Sequence, residues 1–176
     1  MGILSNITNS DLERRGLTHK QGLYILQLKE VVVRKSRQGN QYINLRFTPE
    51  TFAEERGAEM GDLDHKAPLF DMIVPVTDSG VNPIAASRTA SLISALTGIR
   101  DADKIREEYD ADSVSELGKK LSNLVSLRCK SFVSLRKEVD QNSNPVMRNR
   151  IGSYEPLSDE ELSSTESDDD DSNIPF

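Results

Sequence analysis

GLYILQLKEVVVRKS (residues 22–36) and QYINLRF (residues 41–47) are the segments that decide the fold of this chain. The first is rich in β-branched and aliphatic residues, which favour strands, and a short RQGN turn separates it from the second. The second alternates strictly between polar and apolar residues, as a half-buried strand does. Together they predict a β-hairpin. Its second strand directs one set of side chains into the core and the other outward: Ile43, Leu45 and Phe47 inward, Tyr42, Asn44 and Arg46 outward.

Three later segments predict further strands. Pro49 is expected to end the hairpin, and residues 70–76 (FDMIVPV) then form a short apolar run. Residues 124–139 alternate over a long distance between apolar side chains and polar or basic ones. The turn sequence DQNSNP follows, and residues 146–154 return as the last strand.

Two helices are predicted between the third and fourth strands. Asn82 followed by Pro83 marks the start of the first helix, and Gly98 is placed to end it. A shorter helix begins after Asp112 or Ser113. Because strands and helices do not alternate regularly, the pattern favours a small barrel over a parallel sheet. We therefore predict a mainly β fold, a five-stranded oligonucleotide-binding (OB) barrel with one or two short helices; a β-sandwich fits the same pattern.

The charge distribution divides the chain into three parts. Residues 1–22 are polar without clear periodicity and predict a loosely attached arm, and residues 23–154 form the OB domain. Residues 155–176 are rich in serine and acidic residues, which cannot bury enough apolar surface to order them, so a disordered tail is predicted. The formal net charge is -7, but without the nine acidic residues of this tail 20 acidic residues face 22 basic ones. The acidity therefore belongs to the tail.

Composition argues against several classes of protein. One cysteine and two histidines supply neither an intramolecular disulfide nor a zinc cluster, so we expect a reducing compartment, no metal and no cofactor. No apolar run approaches the roughly 20 residues that span a bilayer, which predicts no membrane association and a cytoplasmic location, that of a bacterial host if the protein is phage-encoded.

Enzymatic motifs are also missing from the sequence. It contains no phosphate-binding loop, no nucleophile elbow and no zinc-protease helix motif, so we do not expect an enzyme. Asp62, Asp64 and Asp71 lack the spacing of a nuclease metal site. His19 and His65 are isolated in the sequence, and all five are expected to be solvated loop residues.

Aromatic rings and cations share the outward parity of two predicted strands. Tyr42 accompanies Arg46 on one, and Phe132 accompanies Lys130 on the other. A ring stacks on a base of any identity, while a cation neutralises a phosphate, so the pattern predicts one electropositive groove for single-stranded DNA or RNA. Ordinary solvated strand faces are the alternative. The predicted contact residues are Lys29, Arg34, Lys35, Arg37, Tyr42, Arg46, Arg128, Lys130, Phe132 and Arg136.

The chain ends in SDDDDSNIPF, an acidic run followed by an apolar tip. A partner protein needs an apolar pocket for the terminal ring and basic groups for the carboxylates. A purely solubilising tail explains the acidic run but not the tip. The predicted partner-binding residues are Asp168, Asp169, Asp170, Asp171, Ile174, Pro175 and Phe176.

This ending resembles that of bacterial and bacteriophage single-stranded DNA-binding proteins, whose acidic C-termini commonly close on Ile-Pro-Phe. Ser172 and Asn173 interrupt the acidic run, and residues 24–47 are similar in pattern to the phage-type domains. The N-terminal sequence typical of the bacterial housekeeping protein is missing, which favours a phage-like or otherwise divergent member, and a homo-oligomer stays possible.

The resemblance implies a protein that binds and protects single-stranded DNA during replication, recombination or repair. Its tail would recruit replication or repair proteins. The alternative is an acidic-tailed adaptor or DNA-mimicking inhibitor that does not itself bind DNA.

Overall fold

Five antiparallel strands form the main sheet of the protein. The computed structural model describes residues 18–53, 61 and 63–164. In chain order the strands are β1 (Gly22–Lys35), β2 (Gln41–Ala53), β3 (Leu69–Ile73), β4 (Val76–Thr77), β5 (Gly80–Val81), β6 (Arg128–Val139) and β7 (Pro145–Glu155). The main sheet has the order β3-β2-β1-β6-β7, and β4 and β5 form a separate two-stranded hairpin. Both predicted hairpins, β1–β2 and β6–β7, are therefore confirmed.

Four helices accompany the strands in the part of the chain that the structure describes: α1 (Pro83–Thr97), α2 (Ala102–Tyr109), α3 (Val114–Ser122) and α4 (Asp159–Ser164). The Asn82 side chain caps α1 by accepting from two backbone N–H groups, and Gly98 ends it in a left-handed conformation with φ 78°. The Ser113 side chain caps α3 by accepting from the backbone N–H of Glu116. Both predicted helices are thus confirmed, whereas α2 and α4 were not predicted.

The core lies between the main sheet and the helices. The inward side chains Ile43, Leu45 and Phe47 are completely buried, as predicted. Helix α1 covers β6 and β7 with its apolar side, and α3 packs against β1. Helix α3 lies close to β1 where Gly118 faces the side chain of Val33.

Three strand boundaries differ from the prediction. Strand β3 ends at Ile73, three residues earlier than expected, and Val76 belongs to β4. Strand β2 continues past Pro49, because this proline lies beside a β-bulge, where its missing N–H group is tolerated. Strand β6 begins at Arg128, four residues later than expected. The residues before it form a turn in which Ser126 has a φ of 78° and donates its backbone N–H to the carbonyl of Leu28.

The ends of the predicted domain also differ. Thr18 to Gln21 of the expected loose arm are attached to the barrel, and His19 is 4% exposed. At the other end, the predicted disorder from Glu155 onward is wrong for the first ten residues, since β7 includes Glu155 and α4 follows. Ser158 and Glu161 cap α4 reciprocally, because each side chain accepts from the backbone N–H of the other residue.

The edge strands β3 and β7 meet without a backbone ladder between them. Arg88 of α1 bridges this seam. Its Nε atom donates to Asp71 at 2.8 Å, and its two terminal nitrogens donate to the carbonyls of Ile151 and Gly152 at 3.0 and 3.1 Å. The Tyr154 hydroxyl donates to the same Asp71 carboxylate at 2.5 Å. The result is a partly open five-stranded barrel, an OB-like fold as predicted.

Cys129 is completely buried within this barrel. Burial raises the pKa of its thiol to about 12. None of the helices within the described residues is long and apolar enough to cross a membrane.

We expect Gly118→Ala to destabilise the protein. A Cβ atom at this position would lie 2.3 Å from Cγ2 of Val33, and such overpacking costs about 1–3 kcal/mol. Alanine's higher helix propensity would act in the opposite direction by about 1 kcal/mol. Urea denaturation measures the sign, and Lys119→Ala on the exposed side of α3 should change the unfolding free energy by less than about 0.5 kcal/mol. A stabilised Gly118→Ala protein would contradict the packing described.

Tyr154→Phe tests the seam between β3 and β7. Burial, reinforced by the nearby charge of Asp71, raises the pKa of Tyr154 well above its ordinary value, so the hydroxyl stays a neutral donor. Losing its hydrogen bond to a carboxylate should lower the unfolding free energy by about 1.5–3 kcal/mol. Tyr109→Phe is the matched control, because the Tyr109 hydroxyl bonds to no other described residue. Equal unfolding free energies for the two variants would show that the bond adds no stability.

Candidate nucleic-acid interface

The outer face of β1, β2 and β3 forms a regular grid of side chains. Residues paired across antiparallel strands lie on the same face, about 5 Å apart. The register pairs Arg46 of β2 with Glu30 of β1 on one side and with Phe70 of β3 on the other. The next row contains Val32, Asn44 and Met72, and the row after it contains Arg34 and Tyr42.

Strand β3 contributes two exposed apolar side chains to this grid. Phe70 is 54% exposed and Met72 is 58% exposed, while Leu69 and Ile73 on the opposite parity are buried. The sequence analysis placed Phe70 in a strand but did not assign it to a face. The sequence does contain this information, because Leu69 and Ile73 are four positions apart and therefore share one face of a strand. Phe70 and Met72 must then lie on the other face.

Cations cluster where β1 passes into β2. Arg34 is directly opposite Tyr42, Lys35 ends the strand, and Arg37 lies in the following turn. Lys29 occupies the bulge between Leu28 and Glu30, and it has no partner residue on β2. None of these four cations forms an ion pair with another described residue. Within the part of the chain that the structure describes, no carboxylate therefore competes with an anionic ligand for these charges.

The cation in the centre of the face is only loosely engaged. Arg46 lies 3.3 Å from Glu30, and both side chains are about half exposed. Exposed ion pairs of this kind contribute about 0–1 kcal/mol, so a phosphate can replace the carboxylate at little cost.

The two cations at the start of β6 are engaged more firmly. Arg128 donates to Glu50 at 2.6 Å, and Lys130 donates to both carboxylate oxygens of Glu161 at 3.1 and 3.2 Å. Burial alone would raise the pKa of Glu161, but hydrogen bonds from Ser158 and Lys130 outweigh it and hold the pKa below its ordinary value. A nucleic acid could reach these cations only by displacing carboxylates of the protein.

The remaining predicted residues of β6 lie towards the other end of β1. Phe132 is 45% exposed and lies opposite Leu23, near the beginning of β1. Arg136 is opposite Arg148 on the β6–β7 hairpin, in a part of β6 that pairs only with β7. The structure thus joins Lys29, Arg34, Tyr42 and Arg46 into one surface, with Arg37 in the adjoining turn. Lys35 pairs with Gln41 and has the opposite parity to Arg34, so it lies off this face, and Phe132 and Arg136 lie apart from it.

The carboxylates considered for a metal site are used differently. Asp71 binds Arg88 and Tyr154 in the seam, which corrects its expected role as a solvated loop residue. Asp64 is exposed beside Lys20, and Asp62 lies outside the described residues. Within those residues, no group of three or more histidine, cysteine or carboxylate side chains could hold a metal ion.

The predicted partner-binding residues lie beyond Ser164, outside the described residues. They are Asp168, Asp169, Asp170, Asp171, Ile174, Pro175 and Phe176.

Comparison of the sequence with protein-family models and with curated proteins finds no match in either.

Proposed function

We propose that this protein binds single-stranded DNA on the outer face of β1, β2 and β3, and protects it during replication, recombination or repair. The observation that carries the proposal is the pairing of exposed Phe70 with Arg46 on an OB-like fold. In OB folds the face of the second and third strands and the loop between the first and second bind oligonucleotides. Here these elements contain the grid and the turn with Arg37.

The chemistry of the face suits single strands better than duplex. Phe70 and Tyr42 offer ring faces on which unpaired bases can stack, and duplex DNA keeps its bases stacked inside. Arg34 lies opposite Tyr42 and Arg37 lies in the turn beyond it, so both would contact the phosphate backbone of the nucleic acid. Stacking and phosphate contact do not depend on base identity, so binding should be largely independent of sequence.

Glu30, Glu50 and Glu161 limit the extent of the proposed site. The carboxylate of each forms an ion pair with a cation that a phosphate would otherwise contact. Glu30 is the most exposed of the three, so Arg46 should exchange partners first. The main contacts are accordingly assigned to β1, β2 and β3, and β6 is assigned an accessory role.

Phe70→Ala and Phe132→Ala test where the nucleic acid binds. Both phenylalanines are about half exposed on strands of one sheet, so truncation removes the same ring from two different regions. Loss of a stacking platform should weaken binding of a short single-stranded oligonucleotide by about 1–3 kcal/mol, and we expect this for Phe70→Ala alone. Fluorescence titration measures the affinities. A larger loss for Phe132→Ala would move the site to β6, and absence of binding by the parent protein would refute the proposal.

Salt dependence tests the cations separately. The logarithm of the binding constant should fall against the logarithm of salt concentration with a slope of about -0.7 for each phosphate contact. Joint replacement Arg34→Gln and Arg37→Gln should therefore make the slope shallower by about 1.4. Lys104→Gln on α2 removes a positive charge away from the face and should leave the slope unchanged. A parent affinity insensitive to salt, or higher for duplex, would contradict the assignment.

The acidic tail is proposed to recruit replication or repair proteins through its last residues. Phe176→Ala keeps every acidic residue and removes the terminal ring, so it should abolish capture of such proteins while leaving DNA affinity unchanged. Ser172→Ala is the matched control within the same segment. Pull-downs compare the two variants, and equal capture by both would make the tail a solubilising segment. A chain ending at Ser164 should still bind DNA; failure to do so would favour the adaptor or DNA-mimic function.

A further inference from the structure

The two histidines of the chain, which the sequence analysis treated as isolated, stack on each other. Their ring centroids are 4.0 Å apart with an interplanar angle of 27°. His19 precedes β1 and is 4% exposed, while His65 belongs to the segment that leads into β3. Both residues lie in loops, as expected, and His65 is partly exposed. The expectation that His19 is solvated is wrong, because contacts with residues far away in the sequence bury it.

Hydrogen bonds of the two rings connect the segment before β1 with the segment before β3. His19 Nε2 donates to the carbonyl of Ala67 at 2.8 Å, and His65 Nε2 donates to the carbonyl of Thr18 at 3.2 Å. His65 Nδ1 accepts from the backbone N–H of Ala67 at 3.4 Å. Each ring therefore carries a proton on Nε2.

The stack is also tied to β7. The side chain of Asn149 accepts from the backbone N–H of His19 at 2.7 Å and donates to the carbonyl of His19 at 2.8 Å. His19 thus links Asn149 of β7 to Ala67, two residues before β3. Strands β3 and β7 share no backbone ladder, so this is a second connection between them, in addition to the contacts of Arg88.

We infer that the His19–His65 stack is a pH-sensitive clasp on the seam between β3 and β7, and that protonation of the buried His19 at mildly acidic pH opens it. The inference does not depend on nucleic-acid binding. His19 is almost completely buried, so a charged imidazolium at this position would lose most of its hydration. Two imidazolium rings stacked at this distance would also repel each other.

The surroundings of the pair compensate for such charge only through the exposed carboxylate of Asp64, whose charge also raises the pKa of Tyr24. Tyr24 of β1 contacts His19 edge to face, and burial raises the pKa of Tyr24 to about 12, so it stays neutral. Asp64 lies 3.7 Å from Lys20, and no described carboxylate bonds to either ring. Lys66, in the same segment as His65, is exposed and positive. On β7 the neighbours of Asn149 are Arg148 and Arg150, which face Glu138 of β6.

The direction of the pH effect follows from His19. Burial lowers its pKa below the ordinary value, and the nearby His65 lowers it further, although the hydrogen bond to Ala67 acts in the opposite direction. A released His19 regains its ordinary pKa near 6.5. The clasp is therefore fully stable above this pH, and it weakens as the pH falls towards the lowered value of the closed form.

Hydrogen exchange in the full chain at pH 7.5 and 5.5, expressed as protection factors, tests the clasp. In this range the opening equilibrium can rise by up to about tenfold per pH unit for each proton taken up. We expect protection of residues 69–73 and 149–154 to fall at pH 5.5, with α3 as an internal control that stays protected. The double variant His19→Gln, His65→Gln retains amide donors but no imidazole, and its protection should not change between the two pH values. Unchanged protection in the parent, or an equal loss in the variant, would overturn the inference.

A titration of the parent protein by NMR keeps the test decisive if the double variant does not fold. The imidazole signal of His19 should titrate below its ordinary value, and backbone amide signals of β3 should shift with the same midpoint. Titration of His19 at its ordinary value, or β3 amides that do not follow it, would also overturn the clasp.

Discussion

The carboxylate of Asp71 is shared between the guanidinium of Arg88 and the hydroxyl of Tyr154, and the closure of the barrel depends on this arrangement. The edge strands β3 and β7 lack a backbone ladder, so their polar groups need other partners. Arg88 supplies them, since its planar fork of donors reaches the carbonyls of Ile151 and Gly152 as well as Asp71. Removal of either charge would leave the other uncompensated and largely buried.

The same strand that closes the barrel forms one border of the proposed interface. Asp71 lies between Phe70 and Met72, so the contacts that hold its carboxylate also fix the positions of the two exposed side chains beside it. The cations of the sheet differ in how firmly carboxylates of the protein bind them. Arg34 and Lys35 have no described ionic partner, whereas Lys130 is bound by both oxygens of Glu161. Under the proposed function, this difference would set the order in which the cations contact a nucleic acid.

Local patterns predicted the hairpin strands and the start of α1, because strand alternation and the Asn82 cap depend only on residues close together in the sequence. They also predicted which side of β2 is exposed. They could not predict the partners of Asp71 and Lys130, since Tyr154 is 83 residues from Asp71 and Glu161 is 31 residues from Lys130. Helix α4 was missed for a different reason. Its capping box, Ser158 with Glu161, is a local signal, but it is set in an acidic, serine-rich composition that favours disorder.

Cys129 is the only cysteine of the sequence, and it is buried inside the barrel. Alkylating dyes react with the thiolate, and a thiol whose pKa is held near 12 supplies almost none at neutral pH. A cysteine introduced at Gln38, in the exposed turn between β1 and β2, would therefore be the one thiol that a maleimide dye modifies in the folded protein. Because Cys129 does not react, a single dye could be attached beside the proposed interface without first removing the native cysteine.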